Sequence, residues 1–159
     1  MKSYVIGKST GPRMRTSFLK DVDTLYVPMK WGNTHWVGLV ISLEYYTVEV
    51  LDPFIAHTTH EEASRFMGPM IECIPWVLKC CLPKTEARGI DTTPYGWVRQ
   101  QGVFQNKRAE DCGVVVAKFL EMRAAGLGAE ELGKLTDEDV DRYREKYAMD
   151  SYEQFVAKL

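Results

Sequence analysis

Two apolar runs four residues apart constrain this chain more than any other feature. His35-Trp36-Val37-Gly38-Leu39-Val40-Ile41 and Tyr46-Thr47-Val48-Glu49-Val50-Leu51 flank the short segment Ser42-Leu43-Glu44-Tyr45. Runs of β-branched, aromatic and aliphatic residues around so short a break read as an antiparallel hairpin. The first run is apolar at nearly every position, as expected of a central strand covered on both faces. Leu25-Tyr26-Val27-Pro28-Met29 reads as a further short strand. Pro28 cannot donate to a ladder, which places that strand near an edge or makes Pro28 a strand end. Lys30 to Thr34, with Gly32 and Asn33, reads as the turn between them.

Helical signals dominate the middle and the end. Thr59 and Glu62 form a capping-box pattern ahead of Ala63, Phe66, Met67, Met70, Ile71 and Ile74. Pro69 and Pro75 interrupt that pattern, so a broken helix or two short ones are expected. Lys84 to Gly96 reads as a loop, and Trp97 to Phe104 as a returning strand. Val115, Phe119 and Met122 recur at helical spacing before Gly126, which predicts a helix with a glycine stop. Thr136 and Asp139 cap another, with Val140, Tyr143 and Tyr147 along it, and Ser151 with Gln154 starts a last short one. Strands first and helices later indicate an α+β class. The chain of 159 residues reads as a single domain over 1–159, with residues 1–22 an arm or loop.

Composition narrows the function classes. Hydrophobic residues make up 45% and charged residues 26%, a globular rather than disordered balance. Lys and Arg number 20 against 22 Asp and Glu, so no basic field is available to hold a nucleic-acid backbone. No apolar run approaches the roughly 18 residues of a membrane helix. Met1 to Thr10 lacks the apolar segment of a secretory signal. Cys73, Cys80, Cys81 and Cys112 contain no C-x-x-C spacing, which argues against a zinc site or a disulfide framework. Reduced thiols suit an intracellular compartment.

The chemistry-bearing residues follow from the hairpin. Facing residues of an antiparallel pair have numbers that sum to a constant. For His35 and Asp52 the sum is 87, which centres the turn between Leu43 and Glu44. An imidazole and a carboxylate then meet at the open end of one hairpin. Asp111-Cys112-Gly113 opens the helix that carries Val115. A cysteine there feels the positive end of the helix dipole, which favours the nucleophilic thiolate. A neighbouring His stabilises that thiolate and later protonates a leaving amine, and an Asp fixes the His tautomer. Gly113 leaves room for a carbonyl to approach the sulfur. Gln105 and Asn106 are candidate side-chain donors to an oxyanion, beside the backbone N–H of Cys112. Cys73, Cys80 and Cys81 read as buried small hydrophobes. His57 and His60 read as solvated loop histidines rather than a metal pair. Trp31, Trp76 and Trp97 read as core.

The order His35…Asp52…Gln105-Asn106…Asp111-Cys112-Gly113 resembles the ubiquitin-like-specific protease family, the SUMO proteases. That family carries a strand-borne His-Trp, an Asp seventeen residues later, a Gln-containing segment and an Asp-Cys-Gly. The match covers about residues 23 to 122, and Gln105-Asn106 before Asp111-Cys112-Gly113-Val114 is most similar to the plant, transposon-associated branch. The resemblance implies a papain-like cysteine protease fold in permuted order, a small mixed sheet flanked by helices. It implies Cys112 as nucleophile, His35 as general base and acid, and Asp52 as the orienting carboxylate. Trp36 would roof a groove for the Gly-Gly tail of the modifier, ending at Gly113. It implies no cofactor, a ubiquitin-like modifier as partner with SUMO foremost, and nuclear residence. The family's oxyanion glutamine stands six residues before the cysteine, where this chain has Asn106, with Gln105 one residue earlier. Gln105 is the preferred of the two. The family's domain is longer at its N-terminus, and no Trp occurs here before Trp31. A shortened or transposon-derived domain that binds a modifier without turnover is therefore the alternative to a competent deSUMOylating peptidase. An acyltransferase on the same triad ranks last, since no basic cluster suggests a coenzyme A pocket.

Overall fold

The computed structural model describes residues 18–108 and 110–157. Four strands form one mixed sheet in the order β1-β2-β3-β4: β1 Thr24–Trp31, β2 His35–Ser42, β3 Thr47–Leu51 and β4 Gly96–Arg99. β1, β2 and β3 pair antiparallel, and β4 joins β3 in parallel. The α+β expectation and the hairpin are both present, with β2 inside the sheet and Pro28 on edge strand β1. Of the expected arm 1–22, residues 1–17 lie outside the described residues. Phe18 and Val22 form an isolated bridge ahead of β1.

The hairpin register differs from expectation by two. Gly38 pairs with Leu51 and Ser42 with Thr47, so facing residues sum to 89. The loop from Leu43 to Tyr46 is closed by Tyr46 at φ 55, which places the turn one position later. An even offset preserves which face each side chain takes, whereas an odd one would reverse it. His35 and Asp52 thus remain on one face as diagonal neighbours, with Asp52 just beyond β3.

The sheet separates two cores. Val37, Leu39, Ile41, Val48 and Val50 face Ala63, Met67, Ile74 and Leu78 of α1, which spans His60–Cys81. Val40 and Leu51 face Val115, Val116, Phe119 and Leu120 of α3, Cys112–Ala124. Gly38 lets α3 approach β2, since a Cβ there would lie 3.0 Å from Leu120 Cδ2. A short helix α2, Lys84–Ala87, stands within the expected loop. Three residues of the expected returning strand, Trp97 to Arg99, pair with β3 together with Gly96 from the expected loop, and the chain from Gln100 to Phe104 is irregular. Helices α4, Ala129–Gly133, and α5, Asp137–Phe155, follow α3. Gly126, at φ 85, ends α3 as expected. Ser151 lies inside α5 rather than starting a new helix, because no Gly or Pro precedes it to end the first.

The capping box of Thr59 and Glu62 is formed, but α1 is one helix with both prolines inside it. Each proline removes the hydrogen bond to the carbonyl four residues back. For Pro75 that carbonyl belongs to Ile71, and it accepts from Tyr95 N–H at 3.2 Å instead. For Pro69 it belongs to Arg65, on an exposed part of the helix where water can bond it. Tertiary contact thus overrides the local break. Cys73, Cys80 and Cys81 are exposed, contrary to expectation, and so is Trp76 at 55%. They lie off the buried stripe of Ala63, Met67, Ile74 and Leu78. Trp31 is buried, and Trp97 packs partly against the same core.

Candidate active site

One end of the sheet gathers the polar groups. His35 is the first residue of β2, Asp52 follows the last residue of β3, and Arg99 ends β4. His35 Nε2 lies 2.9 Å from Asp52 Oδ1, and both side chains are almost wholly buried. With Nε2 on the carboxylate, Nδ1 is the ring nitrogen left for another partner. Asp52 Oδ1 also accepts from the Phe54 N–H at 2.7 Å. Its other oxygen, Oδ2, accepts from Arg99 Nε at 2.9 Å and is ion-paired with Arg99 Nη2. Burial alone would raise the Asp52 pKa. Hydrogen bonds from His35, Phe54 and Arg99 outweigh it and hold the carboxyl below its ordinary value.

The thiol comes from the other side of the sheet. Cys112 is the first residue of α3, is buried, and its Sγ donates to Thr34 O at 3.6 Å. Asp111, directly before it, makes no side-chain cap on the helix. Its carboxylate is ion-paired with Arg108 and with Arg144 of α5. The N-terminal amides of α3 are thus not taken by the neighbouring carboxylate, and the dipole end lies at the sulfur.

A cleft of about 490 Å³ joins these groups. Its walls include His35, Trp36, Asn106, Cys112 and Gly113, together with His57. Trp36 is 37% exposed, and a Cβ on Gly113 would meet its ring edge at 3.8 Å. Asn106 is buried in the wall, where its Oδ1 accepts from Arg108 N–H at 2.9 Å and its Nδ2 donates to Arg108 O. Gln105 is turned elsewhere. Its Nε2 donates to Asp52 O at 3.1 Å and its Oε1 accepts from Ile55 N–H at 2.9 Å. It ties down the loop after β3 and does not line the cleft.

Two residues at the site had not been singled out for it. Arg99 is one, and its signal was a charge sharing strand parity with Trp97, on the face turned to the α1 core. His57 is the other. It lies in the 3-10 turn Ile55–His57 with its ring 4.9 Å from that of His35, and it stacks on Phe54. It is exposed, but it belongs to the cleft and is not merely a loop histidine. His60 stacks on Trp97 and stands apart.

The family model of the Ulp1 protease family, C-terminal catalytic domain, matches residues 2–159. Among curated sequences nothing matches the chain. Solved structures of SUMO proteases share its fold. The C-terminal Ulp1 protease domain in complex with Smt3, the yeast ortholog of SUMO, aligns with TM-score 0.58 at 15% identity over 83% of this chain and 52% of that one. The SUMO protease Ulp1 with its catalytic cysteine oxidized to a sulfenic acid aligns with TM-score 0.54 at 17% identity, over 83% and 53%. The Ulp1-like SUMO protease catalytic domain of Chaetomium thermophilum aligns with TM-score 0.53 at 23% identity, over 78% and 44%. The chain spans about half the length of these solved relatives.

Proposed function

The chain belongs to the Ulp1 protease family, and on that premise we propose that it is a cysteine isopeptidase and C-terminal hydrolase acting on a ubiquitin-like modifier, SUMO foremost. The observation that carries this reading is the buried 2.9 Å His35–Asp52 pair opening into one cleft with Cys112.

In this mechanism the Cys112 thiol gives its proton to His35 Nδ1. The thiolate attacks the carbonyl carbon of the modifier's last glycine. Negative charge gathers on the carbonyl oxygen, where the backbone N–H of Cys112 and the side-chain amide of Asn106 stabilise it. One Asn106 N–H serves Arg108 O, which leaves its second hydrogen for the oxyanion. Collapse breaks the C–N bond, and His35 passes its proton to the departing lysine amine. Water activated by His35 then cleaves the thioester and releases Cys112. Asp52 holds the imidazole tautomer throughout. Trp36 and Gly113 flank the path that the narrow Gly-Gly tail would take. Gln105 supports the loop that carries Asp52, and Asn106 is preferred for the oxyanion because it lines the cleft.

The test mixes the protein with SUMO, NEDD8-type and ubiquitin probes that end in an electrophile. A covalent adduct with the SUMO probe, absent in Cys112→Ala, is the expected result. Loss of turnover on a SUMO substrate in that variant should exceed roughly a thousandfold. No adduct with any probe, from protein shown to be folded, would overturn the reading and leave a modifier-binding module.

A further inference from the structure

We propose that Arg99 is a positioning residue for the Cys112–His35–Asp52 chemistry, fixing the Asp52 carboxylate in the one orientation that serves His35. This deepens the peptidase reading and rests on it. An ionised carboxylate has about four lone-pair sites. On Asp52, Oδ1 is occupied by His35 Nε2 and the Phe54 N–H, and Oδ2 by two nitrogens of Arg99. All the acceptor capacity is filled, and the carboxylate cannot turn without breaking charge-assisted bonds.

The guanidinium is itself over-determined. Nη1 donates to Thr58 O at 2.8 Å, and Nη2 donates to Ile55 O at 3.1 Å. Its carbon lies 5.6 Å from the Trp31 ring centre, and Trp31 lies 6.1 Å from the His35 ring. The side chain is only 8% exposed. One fork therefore holds Asp52 and both ends of the Ile55–Thr58 segment that brings His57 to the cleft. A planar guanidinium makes this set, whereas an ammonium supplies only a point charge.

The groups around the pair define the electrostatics. Asp52 faces His35 and Arg99. Around His35 stand Asp52, His57 of the 3-10 turn, Cys112 of α3, and Glu110 in the cleft wall. Arg99 is one of the contributions that hold the Asp52 carboxyl below its ordinary value. Without it Asp52 protonates at higher pH, and a protonated Asp52 no longer stabilises an imidazolium. Arg99 does not line the cleft with Cys112, so substrate binding should be spared.

The experiment compares wild type, Arg99→Gln and Arg99→Lys. In Arg99→Gln, kcat on a SUMO substrate should fall roughly 10- to 100-fold, as expected for lost charge-assisted hydrogen bonds, with KM within about twofold. The acid limb of its pH profile should move toward neutrality. Arg99→Lys should return the acid limb toward wild type, through its charge, while recovering only part of kcat. Iodoacetamide alkylation of Cys112 across pH, with Cys73, Cys80 and Cys81 changed to Ser, follows the same acid limb without any substrate. A wild type that fails on SUMO but shows a variant-dependent alkylation profile would overturn the substrate reading and leave Arg99's role standing. Unchanged kcat and an unmoved acid limb in folded Arg99→Gln would overturn the Arg99 proposal. So would an unmoved limb in Arg99→Lys with undiminished kcat, should the Gln variant not fold.

Discussion

The two helices on opposite faces of the sheet are built for different tasks. α1 opens with a complete capping box and buries one stripe, with polar and exposed residues on the rest. α3 opens with no side-chain cap and buries a broader face of Cys112, Val115, Val116, Phe119, Leu120 and Met122. α3 has β2 on one side, and its Lys118 meets Tyr143 of α5 at 4.3 Å on another. The capped helix packs against the face that carries His35, Asp52 and Arg99. The uncapped helix brings the sulfur. The difference teaches that the site straddles the sheet, with the imidazole and its carboxylate on one core and the thiol on the other, meeting at one end. Each core can be perturbed separately.

The largest expected break is at the buried carboxylate. Asp52→Asn keeps the shape but leaves the Arg99 guanidinium without its anion, which should cost about 3–5 kcal/mol. The sign of the pH effect follows from the lowered carboxyl. Asp52 contributes stability that is present above its ordinary value of 3.8 and lost as pH falls through the lower folded value. Denaturant titrations across pH 2 to about 6 should show that acid-sensitive part in wild type and not in Asp52→Asn. The α3 core should be indifferent to the change.

The next comparison lies within α1. Pro69→Ala restores the hydrogen bond to the Arg65 carbonyl on the exposed side of α1, and should raise stability by about 1–3 kcal/mol. Pro75→Ala should gain clearly less, because the Ile71 carbonyl already accepts from Tyr95 N–H. Thermal melts of the two variants side by side decide it, and equal gains would refute the account of Ile71. The smallest effect is Thr59→Ala, which removes the cap and should cost about 1 kcal/mol. Its Cys112 alkylation rate should match wild type, as expected if α1 packs the sheet without touching the thiol.

Much of this architecture was readable from residues alone, and the exceptions have local causes. The face shared by His35 and Asp52 survived a register error because the error was even. The helix beginning at Cys112 was readable against the strand propensity of Val114, Val115 and Val116, since Val115, Phe119 and Met122 keep helical spacing. The single long α1 was not readable, because the partner that compensates Pro75 lies in a distant loop. Neither was the outward turn of Cys73, Cys80, Cys81 and Trp76, which depends on which stripe of α1 meets the sheet. Arg99 was half-legible, through the strand parity it shares with Trp97. Its meaning comes from a parallel pairing that no neighbouring residue announces.

That parallel pairing also imposes an order of assembly. Contacts between near neighbours in the chain form at lower entropic cost than distant ones. The β1–β2–β3 meander can bring His35 to Asp52 with short loops alone. The β4–β3 pairing closes the longer loop from Asp52 to Tyr95, and the packing of α3 on β2 closes a longer one still. A nascent chain therefore holds its imidazole and carboxylate before it holds the guanidinium, and holds the guanidinium before the sulfur is seated at Thr34. On the peptidase reading, the complete set of Cys112, His35 and Asp52 is then the last part of the site to assemble.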